Sequence, residues 1–252
     1  MSERRLIPGK FVWYEHVSRD AKKAQAFYGE LFGWKIDPFP MGDSTYDMIK
    51  SGEQLLGGYA PPESGSAAHW ISYASVESVD DAVKAATTNG GRLVTPAYDV
   101  PQVGRMARIA DPQGAEVCVY TSFSGNDPDV ADVPVGTFVW NELHTTDPKG
   151  ALSFYATVVG FTHKAMDPGG QYFIVSRHGI DRGGVSAHLP PGARPHWLPY
   201  VRVENTDTSV ERARKTGATV LFGPEDIPGV GRFATFADPT GAVLAIIKPS
   251  RG

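Results

Sequence analysis

Ala110-Asp111-Pro112-Gln113-Gly114-Ala115 returns as Ala237-Asp238-Pro239-Thr240-Gly241-Ala242, and Phe11-Val12-Trp13 returns as Phe138-Val139-Trp140. Both pairs lie 127 positions apart, the step from residue 110 to 237 and from 11 to 138. A fixed internal period decides the architecture before any single residue is read, because each copy must build the same unit. Copy one spans residues 9–123 and copy two spans 136–250, and the Gly/Pro/Asp-rich stretch 124–135 between them reads as a linker. Residues kept in both copies read first as fold residues.

Each copy opens on a β-rich run, Phe11–Val17 or Phe138–Leu143. Asp20 and Asp147 stand where helix N-caps belong, and Pro148 falls at the first helical position, where its missing N–H goes unmissed. Ala24, Phe27 and Leu31, matched by Ala151, Phe154 and Val158, recur at helical spacing and predict a core-facing stripe. Gly33 and Gly160 end these helices. Short strands follow around Tyr46–Ile49 and Gln171–Val175. The second half of each copy repeats the pattern: strands from His69 and His196, helices capped by Ser78 and Asn205 and stopped at Gly90 and Gly217. A Val-Gly-Arg turn, Asp-Pro-x-Gly and a last strand close it. The expected class is α+β, with four strand–helix–strands units in one chain.

Hydrophobic residues make up 41% of the 252 and charged residues 21%, enough apolar content for a packed core. No apolar run reaches the length of a membrane span, and the first residues lack the apolar stretch of a secretory signal. One cysteine, Cys118, rules out an internal disulfide and suits a reducing compartment. The net charge of −4, with no basic cluster beyond Arg4-Arg5, argues against nucleic acid. The expectation is a cytoplasmic protein, monomer or homodimer, that handles a small-molecule ligand, with no nucleic-acid or membrane partner.

Four βαβββ units, with Asp…Phe-Tyr…Gly after the first strand and Asp-Pro-x-Gly before the last, resemble the vicinal oxygen chelate superfamily. That group holds glyoxalase I, bleomycin-resistance proteins and extradiol dioxygenases. The finer resemblance is to two-module glyoxalase-like proteins of actinobacteria, a mycobacterial antigen group among them. It implies tandem modules whose cupped mixed sheets hold a ligand on the concave face, often over a divalent metal. It also implies where metal ligands would stand. The position on the first strand, seven residues before the capping Asp, holds Trp13 and Trp140 here. The position seven residues after the Asp of Asp-Pro-x-Gly holds Cys118 and Ala245. The third holds Ile71 and Leu198, with His69 and His196 two residues earlier on the same face. Indole and alanine offer a metal nothing. No metal and no cofactor are therefore expected.

The candidates that remain are carboxylates, imidazoles and aromatic rings. Glu15 and Glu142 share a sheet face with Trp13 and Trp140. They read as rim residues bound to an arginine or a helix cap, or as general bases whose pKa a neighbouring indole raises. His69 and His196 read as groups that satisfy backbone at a strand end, or as acid–base residues. Trp13 and Trp140 suit stacking of a planar ligand, with Tyr46, Tyr172, Tyr73, Tyr200 and Cys118 as further lining. Trp70 and Trp197 are expected in the core, and Arg105 and Arg232 in exposed structural turns. His16, His144, His163, His178 and His188 lack counterparts and read mostly as surface residues. Two functions fit: a metal-free binder of an aromatic or planar molecule, or a lyase, isomerase or oxygenase using Glu and His acid–base groups or non-standard metal ligands. A third, an interaction protein, would have its cavities filled.

Overall fold

The structure is a computed structural model that describes residues 5–42, 44–63, 65–166 and 169–250. Arg4 of the Arg4-Arg5 pair and Ser64 of the loop at residues 61–65 lie outside the described residues. Copy one contains β1 (Phe11–Val17), α1 (Ala21–Phe32), β2 (Lys35–Met41), β3 (Ser44–Ser51) and β4 (Gln54–Ala60). It continues with β5 (His69–Ser75), α2 (Val79–Thr88), β6 (Arg92–Val100), β7 (Gly104–Ala110) and β8 (Glu116–Ser122). Copy two repeats the order as β9 (Phe138–His144), α3 (Pro148–Val158), β10 (Thr162–Ala165), β11 (Tyr172–Arg177) and β12 (Ile180–Ser186). Then come β13 (His196–Arg202), α4 (Thr206–Lys215), β14 (Thr219–Ile227), β15 (Gly231–Ala237) and β16 (Val243–Pro249).

The helices start where the sequence caps them. The Asp20 carboxylate accepts the Lys23 amide at 3.0 Å, and Asp147 accepts the Gly150 amide at the same distance. Each bond satisfies one of the N–H groups that a first helical turn leaves unpaired. Asp20→Ala and Asp147→Ala are each expected to cost about 1 kcal/mol, read as a lower urea midpoint with an unchanged slope.

The strands form two eight-stranded sheets, ordered β2-β3-β4-β1-β5-β8-β7-β6 and β10-β11-β12-β9-β13-β16-β15-β14. Within each βαβββ unit the first strand runs parallel to the last, as β1 with β4 and β13 with β16, while neighbours in sequence run antiparallel. Both sheets are therefore mixed. The compact units do not follow the copies. Unit one takes Met1–Val12, Ser72–Val130 and Trp140–Trp197; unit two takes Trp13–Ile71, Ala131–Val139 and Leu198–Gly252. Each joins half of copy one to half of copy two.

In both units the Asp-Pro-x-Gly aspartate closes its own turn and anchors a helix from the other copy. Asp111 Oδ1 accepts the Gln113 and Ala115 amides at 3.0 and 2.8 Å, and the fourth residue, Gly114, sits at φ 99°, a left-handed conformation that favours glycine. Asp238 closes its turn onto Thr240, Gly241 and Ala242 in the same way. In unit two, Trp70 Nε1 donates to Tyr28 Oη at 3.1 Å, and Tyr28 donates to Asp238 Oδ2 at 2.9 Å. In unit one, Trp197 donates to Tyr155 at 2.9 Å, and burial together with the Asp111 charge pushes the Tyr155 phenol well up. Trp70 and Trp197 are 5% and 4% exposed, so their symmetry does reflect core packing.

His16 corrects the surface reading. It is fully buried, with Nε2 2.8 Å from Asp238 Oδ2. Strand alternation turns it inward beside Tyr14, and its carboxylate partner lies 222 residues along the chain, beyond any local pattern. Its counterpart in copy two, Leu143, is equally buried and leaves Asp111 without an imidazole. His163, His178 and His188 are exposed as expected.

Candidate functional site

Alternation along β1 places Trp13 and Glu15 on the face opposite Tyr14 and His16. Tyr46 on β3 joins them. Trp13 Nε1 donates to Tyr46 Oη at 3.1 Å, and Tyr46 Oη donates to Glu15 Oε1 at 3.0 Å. Copy two repeats the chain on β9 and β11: Trp140 Nε1 donates to Tyr172 Oη at 3.1 Å, and Tyr172 donates to Glu142 Oε2 at 3.3 Å. Neither glutamate is held by an arginine or a helix cap in these bonds. Each glutamate accepts from the phenol of an indole–phenol–carboxylate relay.

A glycine makes each relay possible. Gly58 pairs with Glu15 across β1 and β4, and Gly184 pairs with Glu142 across β9 and β12. A Cβ on Gly58 would collide with the Tyr46 hydroxyl, and one on Gly184 with the Tyr172 hydroxyl. The tyrosine lies flat over bare backbone and so reaches the glutamate on the next strand. Its proton is firmly held: burial first, then the Glu142 charge, pushes the Tyr172 phenol far up.

Copy two adds imidazoles. His144, the next residue on the Trp140–Glu142 face, is 8% exposed, a second correction to the surface reading. Its Nε2 lies 3.2 Å from Glu142 Oε1, and its Nδ1 is 2.5 Å from the His188 carbonyl. The His196 ring stacks on it with centroids 5.3 Å apart and planes at 15°. Burial, chiefly, holds both imidazoles below the usual histidine range, against the pull of the His188 and Arg194 carbonyls. In copy one the position of His144 is taken by Val17, which is buried. The signal that finds His144 is the two-residue strand period counted on from Glu142; its lack of a counterpart in copy one hides it.

The remaining candidates lie on other strands. His69 and His196 each place Nδ1 against the carbonyl two residues back, Ala67 at 2.7 Å and Arg194 at 2.8 Å, as strand-end groups do. Tyr73 and Cys118 pair across β5 and β8 in unit one, both buried. Tyr200 is buried in unit two beside Ala245, its ring 6.4 Å from Phe233. Arg105 bridges Asp80 and Asp99, and Arg232 bridges Asp207 and Asp226. Each arginine is half-buried and is the second residue of a strand, β7 or β15, rather than an exposed turn residue. Two open clefts in unit two, of about 600 and 450 Å³, are lined by Glu30, Arg202 and Arg212 and by Ser18, Lys23 and Thr240. Neither includes a relay residue. At the positions where a metal would be expected, both indole N–H groups are spent on tyrosine, and Ile71, Leu198 and Ala245 are buried and carry no donor. Among the described residues, no three His, Cys, Asp or Glu side chains form a group that could hold a metal ion.

Residues 137–246 match the model of the Glyoxalase/Bleomycin resistance protein/Dioxygenase superfamily, and residues 10–49 match a Bleomycin resistance protein-like N-terminal model. A Mycobacterium tuberculosis protein provisionally named glyoxylase CFP32 is 35% identical over 247 residues, 94% of this chain and 94% of its own. A Streptomyces peucetius protein named for anthracycline biosynthesis is 29% identical, covering 98% of this chain and 96% of its own. Among solved structures, the Mn(II)-bound glyoxalase of Novosphingobium aromaticivorans superposes with a TM-score of 0.66 at 16% identity, over 96% of this chain and 82% of that one.

Proposed function

Because the chain belongs to the Glyoxalase/Bleomycin resistance protein/Dioxygenase superfamily, we propose that it binds a small, planar, aromatic molecule at its two Trp–Tyr–Glu relays, without the superfamily's usual metal centre. One observation carries the reading. In both copies the strand position of a metal ligand holds an indole whose N–H is fixed onto a tyrosine, which in turn is fixed onto a glutamate. A ring immobilised in this way offers its face for stacking at little further loss of side-chain freedom. The Streptomyces relative's name fits, since anthracyclines carry a fused planar ring system. No described helix is long and apolar enough to cross a membrane. We place the protein in the cytoplasm as a monomer or homodimer.

The second reading is an enzyme: a lyase, isomerase or oxygenase with Glu142 and His196 as acid–base groups. The observation favouring it is the Glu142–His144–His196 cluster, which copy one lacks.

Calorimetric titration with 2-methoxynaphthalene, alongside metal analysis of the purified protein, tests the binding reading. Saturable binding is expected, weakened about tenfold in the Trp13→Leu/Trp140→Leu double variant through the loss of ring stacking. Stoichiometric zinc, nickel or iron, or the absence of saturable binding, would sink it.

A further inference from the structure

We infer that the copy-two site selects planar ligands carrying a hydrogen-bond donor, an O–H or N–H group, with His144 Nε2 as the acceptor that sets this preference; the inference rests on the planar-ligand reading above. The Nδ1 contact with the His188 carbonyl requires a proton on Nδ1, which leaves the lone pair of the neutral ring on Nε2. That Nε2 is buried and has no hydrogen-bond partner. Glu142 Oε1 approaches within 3.2 Å without forming a hydrogen bond to it.

The surroundings supply acceptors as well. His196 gives its Nδ1 proton to the Arg194 carbonyl, so its Nε2 also presents a lone pair. Glu142 Oε2 is engaged by Tyr172, whose only proton goes to that bond. Burial keeps both rings uncharged near neutral pH, so neither turns into a donor on Nε2. A buried, unpaired acceptor at His144 Nε2 disfavours a ligand without a donor, because binding would leave that acceptor dry. Copy one keeps the counterparts Glu15 and His69 but lacks the buried unpaired Nε2. Val17 stands at the His144 position, and His16 faces the opposite side, bound to Asp238. The two sites have thus diverged in what they accept.

Titration calorimetry of the full chain with 2-naphthol and with 2-methoxynaphthalene, which share a ring system and differ in the donor, tests this. One site per chain is expected to bind 2-naphthol about tenfold tighter than the ether, while the other binds both alike. His144→Val, which copies the residue of copy one, should remove the preference and keep both sites. His144→Gln, whose amide oxygen accepts, should retain part of it and covers the case of a misfolded valine variant. Equal affinities in the native chain, or a preference that survives His144→Val, would overturn the inference and leave planar binding standing. Failure of both probes to bind would overturn the two together.

Discussion

Asp238→Asn is expected to cost about 3–5 kcal/mol of unfolding free energy at pH 7, and Asp111→Asn to change it by no more than about 1 kcal/mol, although the repeat makes the two aspartates equivalent. Asp238 receives His16 and Tyr28 on one oxygen, and the Thr240 hydroxyl and three turn amides on the other. Removing its charge strands a buried imidazole. Asp111 has no imidazole partner, and its Oδ2 faces only the Tyr155 phenol, without a hydrogen bond of standard geometry. The pKa directions follow. Burial works to raise Asp238, but the His16 bond and charge outweigh it and hold the carboxyl below its usual value. Burial wins at Asp111, where the turn amides and the Tyr155 phenol oppose it, and its carboxyl is held up. Asp238 therefore contributes stability that is present above the unfolded value, near pH 4, and is lost as pH falls through its lower folded value. Asp111 does the reverse: its contribution is present below the unfolded value and is lost as pH rises through its raised folded one. Urea unfolding at pH 7 and near pH 3 reads both, and the penalty of Asp238→Asn should narrow in acid. Equal penalties for the two substitutions at pH 7 would refute this account of the asymmetry.

How much of the molecule can be read from the chain follows from the range of each interaction. The caps Asp20 and Asp147 are legible because a cap and its amide lie three residues apart. Strand alternation by itself puts Trp13 with Glu15 and Trp140 with Glu142. The α+β class and the cupped mixed sheets follow from the repeat and the family resemblance. What stays hidden depends on pairs far apart in sequence. Nothing near His16 announces Asp238, and nothing near Glu15 singles out Tyr46, 31 residues on, as the group that holds it. His144 escapes notice for a different reason. Matching the copies favours residues present twice, and a site that has diverged between copies is what such matching discounts.

Gly184→Ala and Gly58→Ala are expected to destabilise by about 2–3 kcal/mol each, the opposite sign to the gain of about 0.5–1 kcal/mol that alanine brings over glycine in an unobstructed strand. Neither glycine needs a left-handed backbone, so the space in front of the Cα decides the sign. That space belongs to the tyrosine hydroxyl, and a methyl group there lifts Tyr172 off Glu142 or Tyr46 off Glu15. The neighbouring Gly183 serves a different contact, with a Cβ there meeting the Asn141 carbonyl oxygen 2.5 Å away, so backbone rather than side chain blocks it. The two effects separate in a double-mutant cycle. Once Tyr172 is cut to alanine, the obstacle at residue 184 is gone, and Gly184→Ala should become neutral or stabilising, a coupling of about 2 kcal/mol or more. At Gly183 the same tyrosine truncation should relieve nothing. A Gly184→Ala penalty that persists without the tyrosine ring would show that the strand itself rejects the methyl group. The glycine would then have no part in seating the relay, and the Trp–Tyr–Glu arrangement would lose the feature that ties it to the sequence of both copies.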